Sequence, residues 1–170
     1  MIVLVGGDGR GVGKTALVCA VIQLFPAMRW TAVKVSPHVE HSELSHQNES
    51  DTARMLAAGA ERAMLMCAPA ERMQACAGEL RELGRAEHLI VESTSVRAFL
   101  EPDLFLCVVK DAPTKLSLRN ELNRADALFI PATSDLIGNE EQLVFRMQIE
   151  HGVAVLDGEA KRFLSNRVER

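Results

Sequence analysis

The stretch "GGDGRGVGKTAL", Gly6 to Leu17, lies just behind the apolar run Ile2 to Val5 and opens a helix-forming segment, Thr15 to Leu24. Strand, glycine loop and helix together aim several backbone N–H groups at one point, which is what a phosphate requires. The pattern G-x-x-x-x-G-K-[ST] fits at Gly13, Lys14 and Thr15, but Asp8 stands where its first glycine belongs. Gly9, Gly11 and Gly13 let the backbone approach phosphates without a Cβ. Gly9, Arg10, Gly11, Val12, Gly13, Lys14, Thr15 and Ala16 are therefore the expected nucleotide-binding set. Within it Lys14 clamps the β and γ oxygens as the charged catalytic group, and Thr15 is the expected Mg2+ ligand. Asp8 tolerates the turn, but a carboxylate aimed at phosphates would repel them, so its side chain should point away, toward Arg10. Arg10 either reaches phosphate or neutralises Asp8.

The remainder of the chain extends the same alternation. Apolar strands are expected at Thr31 to Val35, Ala63 to Cys67, His88 to Glu92, Leu104 to Val109, Ala127 to Pro131 and Val153 to Leu156. Helices are expected at Asp51 to Ala60, Pro69 to Leu83 with Gly84 beyond its end, Lys115 to Asn123, Glu140 to His151 and Gly158 to Val168. Ser36 to Ser50, polar and with three histidines, reads as a surface loop. The expected fold is α/β: a three-layer P-loop NTPase domain over residues 1–170, with a mostly parallel central sheet flanked by helices.

With 19 basic and 23 acidic residues interleaved, the chain has no long-range field to gather nucleic acid or an anionic membrane surface, so neither is an expected partner. Nothing reads as a signal peptide or a bilayer-spanning run, and the expected location is cytoplasmic. Cys19, Cys67, Cys76 and Cys107 form no C-x-x-C pair and read as buried free thiols. Met55, Met64, Met66 and Met73 read as core fillers.

Glu92 closes an apolar strand on the side where the glycine loop opens, where it would hold the metal, directly or through water, or position an attacking water. Its plainer reading is a capping or surface acid. Asp51 follows Ser50 at a helix start and is either a third metal-side oxygen donor or a cap partner. Lys34 contacts an anion or is an ordinary strand lysine. His38, His41 and His46 fit a flexible polar loop better than a compact metal motif. Asp111 and Asp135, each behind a strand, would accept hydrogen bonds from guanine or simply form turns, so ATP and GTP both remain open.

In serial order the chain resembles the SIMIBI branch of P-loop proteins, and within it the MobB family of molybdopterin-guanine dinucleotide biosynthesis proteins. The resemblance rests on the glycine loop and on "TAVKVSPHVEHSE" with Lys34, His38 and His41. It continues in "ESDTARMLAAGAERAMLM" with Asp51, Arg54 and Ala58-Gly59-Ala60, and in "HLIVESTS" with Val91 and Glu92, where Ser93 replaces the usual glycine. It covers roughly the first hundred residues. It implies a guanine nucleotide, a homodimer, and assistance to a partner enzyme that attaches the nucleotide to molybdopterin. The combined expectation is Mg2+-dependent binding of a purine nucleoside triphosphate, GTP or ATP, with slow hydrolysis. Two rivals are a dethiobiotin-synthetase-like ATP-dependent ligase and a non-hydrolysing adaptor. A partitioning ATPase fits less well, because its signature lysine falls at Gly9.

Overall fold

The computed structural model describes residues 1–9, 11–37, 50–111, 121–136 and 142–169. One eight-stranded sheet organises them, in the order β3-β2-β4-β1-β5-β6-β7-β8. Its strands are β1 (Ile2–Gly7), β2 (Thr31–Ser36), β3 (Arg62–Cys67), β4 (Leu89–Glu92), β5 (Leu104–Val108), β6 (Ala127–Pro131), β7 (Val144–Glu150) and β8 (Val153–Leu156). All pairings are parallel except β7 with β8. The central strands β1, β4 and β5 are buried along their whole length, which is why their sequences are unbroken apolar runs rather than alternating ones.

Helices α1 (Lys14–Leu24), α2 (Asp51–Ala57) and α4 (Gly158–Val168) pack on one face, sharing a core with Trp30, Val3, Val5 and Phe129. Helix α3 (Met73–Ala86) covers the other face, over Leu4, Val91 and Phe105. This is the expected three-layer arrangement. No helix among the described residues is long and apolar enough to cross a membrane.

Several boundaries depart from the sequence reading. Gly84 lies inside α3 rather than beyond it, because the helix approaches β1 so closely that a Cβ there would sit 2.6 Å from Ile2. Helix α2 ends earlier than expected, at Ala57, where Gly59 (φ 110°) turns the chain and Ala60 and Gly59 donate back to Met55 and Leu56. The expected helix Glu140 to His151 is instead strand β7 over its described part. Phe145, Met147 and Ile149 alternate with Arg146, Gln148 and Glu150, a period of two that good helix formers disguise. His151 (φ 49°) and Gly152 (φ 81°) then form a two-residue reversal into β8, whose left-handed backbone matches the twist of a hairpin. The expected helix Lys115 to Asn123 falls largely outside the described residues. Cys19, Cys76 and Cys107 are buried free thiols as expected, whereas Cys67 is exposed on the edge strand β3. Met55 and Met73 fill core, while Met64 and Met66, on that same edge, are only partly covered.

Candidate functional site

Strand β1 delivers the glycine loop at the carboxyl edge of the sheet, between β4 and β5. Val5 is in register with Glu92 on one side, and Gly7 with Val108 on the other. At Gly7 a Cβ would meet the Val108 carbonyl at 2.5 Å, so only glycine lets the chain leave the sheet here. Gly9, Gly11 and Gly13 all have positive φ, between 74° and 107°. Val12 turns inward and joins the core, which leaves its backbone rather than its side chain to serve the loop, and Ala16 is buried in the same cluster. Asp8 is partly exposed; Arg10, its expected partner, lies outside the described residues.

Helix α1 begins at Gly13 with no side-chain cap and no acid in its first turn. Its leading N–H groups therefore face the loop with nothing from the first turn competing for them. Lys14 folds back over the loop and donates to the Gly9 carbonyl. Burial lowers its pKa, with Glu92 opposing the shift and Lys34 adding to it. An ammonium held in partly desolvated surroundings gains most from an anion placed beside it.

Behind the lysine, the Thr15 hydroxyl donates to Glu92 Oε2 at 2.7 Å in a buried contact; Thr15 is 8% exposed and Glu92 5%. Burial raises the Glu92 pKa against the pull of the Thr15 hydrogen bond and of Lys34 and Lys14. Asp51 reaches the same hydroxyl. Burial would raise its pKa, but hydrogen bonding and charge from Lys34, with help from Thr15 and Arg54, hold it below the usual carboxylate range. A hydroxyl has one proton to offer, so it satisfies one of these two carboxylates at a time. One hydroxyl and two carboxylates are hard oxygen donors of the kind Mg2+ takes. Two acids rather than three is the usual complement for an ion that also keeps waters and phosphate oxygens. Among the described residues no cluster of three or more His, Cys, Asp or Glu stands ready as a self-sufficient metal cage.

Lys34, on β2 in register with Glu92, pairs with Asp51. Ser50 caps α2 by accepting from the Ala53 N–H, so the capping role weighed for Asp51 belongs to its neighbour. Ser93, where the resemblance calls for glycine, is buried, and its Oγ accepts from Val96 N to open the 3-10 turn Ser95–Ala98. Asp111 and Asp135 are exposed. The segments carrying them are joined by Ser134, whose hydroxyl donates to the Lys110 carbonyl and accepts from Leu136 N. His38, His41 and His46 lie outside the described residues.

Two contributors escaped the sequence. The Thr94 hydroxyl donates to the Gly7 carbonyl at 2.7 Å and accepts from the Gly7 N–H at 3.0 Å, clamping the root of the glycine loop to the end of β4. Nothing in a run of serine and threonine announces such a clamp. Arg54, noted only as part of a resemblance, bridges Asp51 to the turn between β7 and β8.

No family model matches the chain, and no curated protein matches it in sequence. Solved structures do match in fold. LpxK from Aquifex aeolicus in complex with ATP aligns with 86% of this chain and 53% of its own length, at 18% identity and TM-score 0.56. The chain thus spans about half the length of that protein. The MinC:MinD cell division complex from Aquifex aeolicus aligns with 99% of this chain and 95% of its own, at 14% identity and TM-score 0.57. FlhF complexed with GTP/Mg2+ aligns with 98% and 73%, at 12% identity and TM-score 0.57. What the chain shares with these structures is the fold, a mostly parallel eight-stranded sheet flanked by helices on both faces.

Proposed function

We propose that the chain binds a purine nucleoside triphosphate with Mg2+ at residues 9–16 and hydrolyses it slowly. The observation that carries this reading is the convergence, at one uncapped helix start, of three left-handed glycines, the Lys14 ammonium and the buried Thr15–Glu92 pair. Backbone N–H groups of the loop and the first turn of α1 receive the phosphates, and Lys14 exchanges the Gly9 carbonyl for phosphate oxygens. Thr15, Glu92 and Asp51 would hold Mg2+, which neutralises phosphate charge when bound. Ionised beside Lys14 and Lys34, Glu92 would act at the metal or through a water bound there, at the phosphate edge. Turnover then rests on positioning rather than covalent chemistry, which fits a slow rate. The neighbours solved with ATP and with GTP/Mg2+ support nucleotide binding in general without choosing the base.

The MobB resemblance gives this activity a setting, in which a homodimer assists a partner enzyme in attaching a guanine nucleotide to molybdopterin. Calorimetric titration with GTP and ATP, each with and without Mg2+, tests the reading. Mg2+-dependent binding of GTP alone supports the MobB setting and ATP preference moves the assignment toward an ATP-dependent ligase. Tight binding with negligible turnover marks an adaptor, and binding of neither nucleotide overturns the proposal.

A further inference from the structure

The β7–β8 hairpin meets the candidate site twice, by two independent routes. Met147 and Ile149 of β7 pack against Gly13 so closely that a Cβ there would lie 3.0 Å and 2.9 Å from them. Arg54 supplies the second route. Its Nη1 donates to Asp51 Oδ1 at 3.2 Å, and its Nη2 donates to the Gly152 carbonyl at 2.6 Å. The fit at the turn is close, since a Cβ on Gly152 would sit 3.2 Å from the same guanidinium. One planar cation thus spans a carboxylate on the phosphate side and a backbone carbonyl at the tip of the sheet's antiparallel ribbon.

We propose that Arg54 is a positioning residue that couples occupancy of the glycine loop to the β7–β8 hairpin. The inference rests on the nucleotide-binding reading above. Asp51 has a cation on each oxygen, Lys34 on Oδ2 and Arg54 on Oδ1. Lys34 rises from β2, a strand inside the sheet, in register with Glu92. Arg54 is tied at its far end to a turn rather than to a core strand. When Asp51 turns toward a divalent ion beside Thr15, its grip on Arg54 loosens and the guanidinium carries that change to the Gly152 carbonyl. The hairpin exposes Ile149 and Val155, so a change in its seating alters a partly apolar surface. Linkage makes the coupling reciprocal: whatever holds the hairpin in one seating changes nucleotide affinity by the same factor.

Hydrogen exchange of the full chain, with and without GTP–Mg2+ or ATP–Mg2+, tests this in wild type, Arg54→Gln and Arg54→Lys. Lysine keeps the charge beside Asp51 but has no fork to span both acceptors, so it separates bridging from simple electrostatics. Calorimetry on the same samples establishes binding. The expected result is a several-fold change in exchange across residues 148–155 on nucleotide binding in wild type, lost in both variants while they still bind nucleotide. Binding that leaves the wild-type hairpin unchanged overturns the coupling and leaves the nucleotide reading intact. An equal response in wild type and Arg54→Lys also overturns it, assigning the signal to the Gly13 contacts. Failure of the wild type to bind either nucleotide overturns the functional reading and this inference with it.

Discussion

Helices α1 and α4 are each eleven residues long and pack into the same core from the same face of the sheet, yet they start in opposite ways. Helix α4 satisfies itself: Asp157 accepts from the Ala160 N–H at 2.8 Å, Glu159 sits in the first turn and Arg167 in the last. Helix α1 has a left-handed glycine for a cap, no acid at its start and no base at its end. Thr15 to Ile22 are buried without a break, so this helix is held by packing on all sides and needs no help from its ends. The open start of α1 is where the proposed nucleotide site lies, and the capped start of α4 is its internal control.

The largest expected break in that contrast is Lys14→Ala. Loss of a charge-assisted hydrogen bond to phosphate costs roughly 2–3 kcal/mol, on the order of 100-fold in nucleotide affinity by calorimetry. Unchanged affinity would remove α1 from the site. Next comes Gly13→Ala, which forces a side chain into a backbone with φ of 107° and into Met147 and Ile149. It should cost about 1–3 kcal/mol in urea unfolding and weaken nucleotide binding as well. If stability holds, the close approach of β7 to the loop is wrong.

Glu92→Gln sharpens the comparison through pH. Because burial raises the Glu92 pKa, the folded chain binds that proton more tightly than the unfolded chain does. Its stabilising contribution is full below the ordinary glutamate range and is lost as pH rises through that range toward the folded value. The melting temperature of wild type relative to that of Glu92→Gln should therefore decline as pH rises through the ordinary glutamate range and above it, measured without nucleotide. A parallel fall in both proteins would mean Glu92 is solvated. The smallest expected effect is Asp157→Ala, about 1 kcal/mol of stability with nucleotide affinity unchanged. A change in affinity there would show that the two helix starts are not independent.

The loop, α1 and the strand ending at Glu92 were legible because their signals are local. A β-branched run, alternating glycines and a lysine–threonine pair each act through their own backbone. Strand β7 was misread because Glu, Gln, Arg and Met favour helices intrinsically, while the alternation of Phe145, Met147 and Ile149 matters only once a sheet edge is present to receive it. Asp51 shows the same limit: its position beside Ser50 fits a cap, and only the packing of α2 in the fold hands it to Lys34 and Thr15.

By itself, then, the sequence determined that a glycine loop opens between an apolar, fully covered strand and a helix. That outcome follows from backbone freedom at glycine and from burial patterns within a few residues. Only the tertiary structure decided which contacts tie these residues together and which further side chains support them. Thr94 on Gly7, Glu92 on Thr15 and the Arg54 bridge to Gly152 join residues between 77 and 98 positions apart. Contacts across such separations are set by strand order and register, which no local pattern encodes.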